Sequence, residues 1–312
     1  MSLSAENQKV ILICGPTGIG KTAAAIEIAK VFKGQIIGAD SMQVYRHMDI
    51  GTAKPTPAEQ ALSPHHMIDI VDPDEPFDVV RYVKLARAKI AQLHSQGITP
   101  FVVGGTGLYI KALFYGIFSS PRIDPDISRR LRIEAAEQGS GFLHRRLQRS
   151  DPDTARRLHP NDTYRIIRAL ETLETTGKSI THHHQAHGFS DAVFRVMKIG
   201  LTINRKALYE RIDCRVEAMI AKGLVAEVEA LERMGYTADL KSMQSIGYRH
   251  ILEFLANKIS WEECVRTLKR DTRRYAKRQL TWFGADDEII WQDPGQVRDI
   301  ILLVEKFLGT TA

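Results

Sequence analysis

Residues 15–22 read GPTGIGKT, and the six residues before them, Lys9–Cys14, read KVILIC. The octet fits the G-x-x-x-x-G-K-[ST] pattern of a phosphate-binding loop. Its context fits as well, with a short apolar run ahead of it and a helix-forming stretch behind. Glycines let the backbone turn tightly with its N–H groups facing inward, and those groups together with a helix N-terminus surround a phosphate. Gly15, Pro16, Thr17, Gly18, Ile19, Gly20, Lys21 and Thr22 are therefore the expected seat of a di- or triphosphate. Lys21 brings a point charge to the terminal phosphate, and the Thr22 hydroxyl can hold Mg²⁺.

On either side of this loop the pattern alternates. Lys21–Lys33 has helical spacing and stops at Gly34, and Gln35–Ala39 (QIIGA) reads as a second strand. Asp78–Gln96 predicts a long amphipathic helix, and Thr99–Val103 (TPFVV) another buried strand, followed by Gly104-Gly105 and a helix from Thr106. Strands alternating with helices imply βαβ units and a parallel sheet. The expected fold class is α/β, a P-loop NTPase-like core with helices flanking a parallel sheet. Near Gly116 the pattern changes. Asp124–Gly177 shows only helical periodicity, a strand-like run returns at Phe194–Leu201, Arg205–Phe283 is helical, and a short strand is expected around Glu288–Trp291. This predicts a core formed by residues 1–117 and 191–312, with an all-helical insertion domain at 118–190.

Composition narrows the class. The 312 residues are 44% hydrophobic and 26% charged, and no apolar run approaches the ~20 residues of a membrane span. The polar N-terminus lacks a signal-peptide pattern, so a cytoplasmic protein is expected. Cys14, Cys214 and Cys264 are too far apart for a CxxC pair and read as reduced thiols. The net charge is +6, and arginines cluster in Arg122–Arg168 and in Arg266–Arg278 (RTLKRDTRRYAKR). Concentrated positive charge is the footprint of a nucleic-acid partner. His182–His184 reads as a surface loop, because three adjacent side chains do not converge on one metal ion.

A phosphate loop does not name a reaction. Its usual companion is a carboxylate at a strand end, for which the candidates are Asp40, after IIGA, and Asp69 or Asp72 in MIDIVD. In an open α/β sheet the carboxyl ends of the strands face the ligand crevice, so Asp40 can lie beside the loop. It can equally be a turn or cap residue. A second Gly-rich element, GGTGLY from Gly104, follows a strand, and Thr106 there can be a simple N-cap. Taken alone, these motifs also suit a small-molecule or nucleoside kinase, or an RNA-binding NTPase switch. A GTPase is disfavoured by the lack of an NKxD run.

Together the motifs resemble the tRNA dimethylallyltransferase (tRNA isopentenyltransferase) family of bacterial type. The resemblance rests on GPTGIGKT at 15–22, GADSMQVYR at 38–46, HHMIDIVDPDEPF at 65–77 and GGTGLYIKAL at 104–113. It continues through HPNDTYRIIRALE at 159–171, SIGYRH at 245–250 and RYAKRQLTWF at 274–283. It implies transfer of a dimethylallyl group from dimethylallyl diphosphate to N6 of the adenosine 3′-adjacent to the anticodon in tRNA. On this resemblance Asp40 is the general base at N6, and Thr106 lies where adenine meets the donor. Lys21 and Arg215 neutralise the departing diphosphate, and Thr22 binds Mg²⁺ or the diphosphate. The tRNA anticodon stem-loop is expected to meet Asp40, Ser41, Met42 and Gln43, then Thr106 and Ser128, then Tyr164, Arg165, Ile166, Ile167 and Arg168. Further contacts are expected from Ser242, Met243, Gln244, Ser245, Ile246 and Gly247, and from Arg274, Lys277, Arg278 and Gln279. The resemblance also implies a monomer with no obligate protein partner, and no zinc. The stretch SSPRIDPDISRR (119–130) departs from the family's usual entry to the insertion, which leaves Arg122 and Ser128 without assigned roles.

Overall fold

A computed structural model describes residues 8–116, 124–182 and 194–309. The expected domain ends at 118 and 190, with Arg122, His183 and His184, lie outside these residues. The chain separates into two compact units, Met1–Phe114 with Val193–Ala312, and Tyr115–Ala192.

In the larger unit the described residues form a six-stranded parallel sheet. Its strands are β1 (Lys9–Cys14), β2 (Gln35–Ala39), β3 (His65–His66), β4 (Pro100–Gly104), β5 (Arg195–Leu201) and β6 (Ile290–Gln292). The order across the sheet is β3-β2-β4-β1-β5-β6. β1, β2 and β4 are buried along nearly their whole length, which explains their unbroken apolar sequences. Helices α1 (Lys21–Val31), α2 (Pro57–Leu62), α3 (Val79–Ser95) and α4 (Gly107–Tyr115) belong to the first half. In the second half are α9 (Arg205–Ala221), α10 (Leu224–Arg233), α11 (Tyr248–Leu255), α12 (Trp261–Phe283) and α13 (Val297–Leu308). The main core joins Ile11 and Ile13 of β1 and Ile26 and Ile28 of α1 to Phe101, Ile199 and Ile212.

The sheet differs from the sequence reading in several places, among them the short edge strand β3, which was not expected. The last strand starts two residues later than expected, at Ile290. MIDIVD forms no strand. It carries a single bridge, Tyr45 to Val71, and its chain bends through positive φ at Met67 and Asp69. Met67 and Val71 are apolar because they are buried, not because they alternate across a ladder.

The smaller unit holds α5 (Pro125–Gln138), α6 (Ser140–Ser150), α7 (Pro152–Arg157) and α8 (Thr163–Thr176). Aspartates 124, 151 and 162 cap α5, α7 and α8 by accepting a backbone N–H. Leu131, Leu143, Leu147, Ile166 and Leu170 form its core. The buried His144 ring places Nε2 3.1 Å from the carbonyls of Ala155 and Leu158, tying α6 to the end of α7.

Candidate active site

Strand register builds the site. Cys14 pairs with Gly104, and Gly104 pairs with Ala39, so three neighbouring strands end at one level. The chain leaving β1 returns through α1 to β2 on one side, while the chain leaving β4 returns to β5 on the other. Connections that part in opposite directions open a crevice at the carboxyl ends of the strands. The phosphate loop, the Asp40 loop and the Gly104–Gly107 turn all start there.

The phosphate loop has the backbone this task requires. Gly15, Gly18 and Gly20 have φ of +144°, +79° and +100°. A Cβ on Gly15 would meet the Leu201 carbonyl oxygen at 2.7 Å, so the loop also needs glycine for close approach to β5. Gly20 caps α1 in the left-handed conformation without a side-chain hydrogen bond, which leaves the first N–H groups of the helix facing the crevice. Lys21 Nζ donates to the carbonyls of Gly15 (3.0 Å) and Pro16 (2.8 Å), folded back over the loop. Burial first, and then the Arg215 charge, bring its pKa down to about 8, with Asp40 opposing both. Burial also pushes Arg215 below its ordinary value, against the pull of Asp40. Two cations and one carboxylate thus share a desolvated space, an arrangement that favours arrival of an anion. The Ile19 side chain is buried in the core, so this residue can offer a phosphate only its backbone.

Asp40 is both things its position allowed. Its Oδ1 accepts the N–H groups of Met42 (2.8 Å) and Gln43 (3.3 Å), which fixes the carboxylate and the turn together. Thr106 stitches this loop to the second glycine turn: its Oγ1 accepts the Ser41 N–H at 3.1 Å, and its own N–H donates to the Ala39 carbonyl at 3.1 Å. The rival carboxylates are committed elsewhere. Asp69 pairs with the buried Lys54, and Asp72 pairs with Arg46.

Two residues that the sequence did not single out also line this region. Tyr275, on α12, lies beside the side chains of Thr106 and Gln279, and burial followed by the Asp40 charge raises its pKa. Tyr109 stacks on Tyr82 at 4.3 Å, and burial, Tyr45 and Asp40 raise its pKa in that order. The signal for Tyr275 was its spacing of four from Gln279, which puts both on one side of a helix.

Comparisons with known proteins establish the family. The family described as IPP transferase matches residues 43–286, and the one described as isopentenyl transferase matches residues 8–66. The chain belongs to the tRNA dimethylallyltransferase family. A relative from Desulfosudis oleivorans, named tRNA dimethylallyltransferase, is 54% identical over 96% of each chain. One from Syntrophus aciditrophicus is 50% identical over 99% of each. The solved structure of a full-length tRNA isopentenylpyrophosphate transferase from Bacillus halodurans is 39% identical with a TM-score of 0.73, covering 97% of each chain. A eukaryotic dimethylallyltransferase acting on tRNA is 29% identical with a TM-score of 0.77, over 98% of this chain and 81% of that one.

For a tRNA dimethylallyltransferase the remaining question is which side chains reach RNA. Tyr164 and Arg165 are exposed at the start of α8, and Arg274, Lys277 and Arg278 are exposed on α12. Arg168 is half-buried and pairs with Glu171, and Ser128 is half-buried on α5. Six of the expected contact residues have side chains that are buried or already bonded within the protein. Ile166 and Ile167 lie on the buried side of α8, in the core of the smaller unit. Met243 is buried, and so is Ser242, whose hydroxyl donates to the Pro73 carbonyl at 2.6 Å. Gln279 is buried, its carboxamide bound to the phosphate loop and to Gly105. Gln43 uses its amide nitrogen on the carbonyls of Thr52 and Ala53. Gln244 is exposed, Ser245 and Ile246 are half-buried, and Gly247 has φ of +101° at the start of α11.

A further anchor came only from the structure. Glu227, on α10, accepts the N–H groups of Asp49 (3.0 Å), Ile50 (2.7 Å) and Gly51 (3.0 Å), and the Tyr248 hydroxyl at 2.6 Å. It holds the far end of the Asp40 loop region against the C-terminal helices. Among the described residues no helix is long and apolar enough to cross a membrane.

Proposed function

We infer that this chain transfers a dimethylallyl group from dimethylallyl diphosphate to N6 of the adenosine 3′-adjacent to the anticodon of tRNA, releasing diphosphate. The observation that carries the reading is the meeting, at one sheet edge, of a phosphate loop flanked by Lys21 and Arg215 with the fixed carboxylate of Asp40.

The chemistry follows from these parts. Adenine N6 is a poor nucleophile, because its lone pair is delocalised into the ring. Transfer requires N6 to be held in line with C1 of the allyl group while its proton is drawn off. The N6 lone pair forms the C–N bond, the C1–O bond breaks, and its electrons leave with the diphosphate. Asp40 takes the N6 proton. Thr106, fixed by Ser41, supports the base at the same edge. Charge developing on the diphosphate meets the N–H groups at the start of α1, Lys21 and Arg215.

Mg²⁺ fits the donor set. Among the described residues no cluster of His, Cys, Asp or Glu forms an all-protein cage, and Mg²⁺ ordinarily binds through few protein ligands, substrate phosphates and water. Thr22 Oγ1 would hold it with the diphosphate oxygens. When bound, it would supply further charge neutralisation to the leaving group.

The target adenosine must leave its stack, at a cost of a few kcal/mol that contacts to the RNA backbone offset. Arg274, Lys277 and Arg278 suit those phosphate contacts, and exposed Tyr164 and Trp282 suit stacking on unpaired bases. The enzyme is proposed to act in the cytoplasm as a monomer, which sedimentation at working concentration would check.

The test is direct. Purified protein with Mg²⁺, dimethylallyl diphosphate and unmodified tRNA should add one prenyl group per tRNA, read by mass spectrometry of the digested nucleosides. ATP consumption without prenyl-adenosine would instead assign the chain to phosphoryl transfer.

A further inference from the structure

Helix α12 carries two kinds of residue. Arg274, Lys277 and Arg278 point out, while Cys264, Leu268, Thr272, Ala276, Gln279 and Phe283 form its buried stripe. Five of those six are apolar or small enough for a core, and Gln279 is the exception. Its carboxamide is bonded at both ends. Oε1 accepts the Thr17 N–H at 2.8 Å, and Nε2 donates to the Gly105 carbonyl at 2.9 Å. Tyr275, one turn earlier, lies beside both Gln279 and Thr106. Gly105 is glycine for the same reason, because a Cβ there would stand 2.2 Å from Gln279 Nε2.

We propose that Gln279 is a positioning residue for prenyl transfer. Its amide fastens the phosphate loop to the glycine turn that carries Thr106, and so sets the distance between the donor's diphosphate and the incoming adenine. The proposal rests on the functional reading above and deepens it. The two loops leave neighbouring strands, β1 and β4, and among the described residues the Gln279 side chain hydrogen-bonds both Thr17 and Gly105. In-line transfer is sensitive to such spacing: a 1 Å misplacement costs on the order of 100-fold in rate. The amide is also the right group. One end must accept and the other must donate, which leucine cannot do and an ionised glutamate does only in half. A protonated glutamate restores both bonds.

That last point supplies the test. Single-turnover prenyl transfer is measured for wild type, Gln279→Leu and Gln279→Glu from pH 6 to 8.5, with tRNA affinity and hydrogen exchange of the phosphate-loop amides followed in parallel. The groups whose charge acts in this crevice are Tyr275 and Arg278 on α12, Cys14 at the end of β1, Asp40 after β2, Lys21 on α1 and Arg215 on α9, and they are common to all three proteins. Rates are therefore compared as ratios to wild type at each pH. The Leu variant should be slower by roughly 10–100-fold at every pH, with tRNA affinity within about threefold of wild type. The Glu variant should match that loss at pH 8 and regain at least about tenfold, relative to wild type, by pH 6. Thr17 exchange should speed up in the Leu variant and slow again in the Glu variant at low pH. A Leu variant at the wild-type rate, a Glu variant whose ratio ignores pH, or tRNA affinity falling in step with rate would each overturn the proposal. Wild-type protein that adds no prenyl group would count against the functional reading alone, since amide exchange still reports on the bridge.

Discussion

Above pH 8 the ammonium of Lys21 should begin to leave the empty crevice. Its pKa stands at about 8 against an ordinary 10.5, because burial and the Arg215 charge outweigh the help from Asp40. A bound diphosphate restores the charge by supplying several negative oxygens, so binding above pH 8 must take up a proton. Donor affinity should then be flat below pH 8 and weaken about tenfold, or about 1.4 kcal/mol, for each further pH unit. Measured against the low-pH plateau this amounts to roughly thirtyfold at pH 9.5. Calorimetric titration with dimethylallyl diphosphate in the absence of tRNA reads the affinity, and paired buffers of different ionisation enthalpy count the proton. Lys21→Arg keeps its charge across this range and should lose the slope. A wild-type affinity flat to pH 9.5, or an Arg variant with an equal slope, refutes the reasoning. The same shift has a stability sign. Between pH 8 and 10.5 the unfolded chain binds more protons than the native one, so native stability rises with pH there, and the penalty is fully present below pH 8.

Three further outcomes are expected. Asp40→Asn, which keeps an oxygen able to accept the Met42 and Gln43 N–H groups, should lower single-turnover transfer by roughly 10²–10⁴ while leaving tRNA affinity nearly unchanged; an equal fall in both would make Asp40 a recognition residue. Gly107→Ala places a Cβ 2.2 Å from Trp282 Nε1 and should destabilise the fold by about 1–3 kcal/mol in urea unfolding, with indole fluorescence shifted; unchanged stability and emission would show that the turn and α12 are not in close packing. Glu227→Ala strands three backbone N–H groups and the Tyr248 hydroxyl, and should cost about 2–4 kcal/mol; a loss below 0.5 kcal/mol, as is ~typical of surface sites, would remove its anchoring role.

What the sequence made legible follows from burial. β1, β2 and β4 are covered on both faces, so they show as continuous apolar runs, and each was placed to within a residue of its observed ends. The phosphate loop was legible because its chemistry leaves so few choices of residue. MIDIVD misled because apolar spacing cannot distinguish a ladder from a buried irregular bend; the chain there takes positive φ at Met67 and Asp69, and Asp69 pairs with the buried Lys54. The contact residues of α8 and α12 were read as motifs rather than as faces. Helical period separates exposed Arg165 from buried Ile166 and Ile167, and exposed Lys277 and Arg278 from buried Gln279. A polar residue in a buried stripe marks an obligatory partner, but the partner itself, Thr17, lies 262 residues away along the chain and can be seen only once folded.

The common level at which β1, β4 and β2 end gives the enzyme a built-in ruler. Neighbouring strands lie about 4.8 Å apart, so the strand that launches the phosphate seat and the strand that launches Asp40 are separated by about 10 Å, with β4 between them. Hydrogen bonding of the sheet fixes that span, and no substitution in the loops can lengthen it. On the proposed function, the sheet would set the outer span between the donor's charged end and the carboxylate, and loop contacts such as the Gln279 bridge would set the placement of the reactants within it.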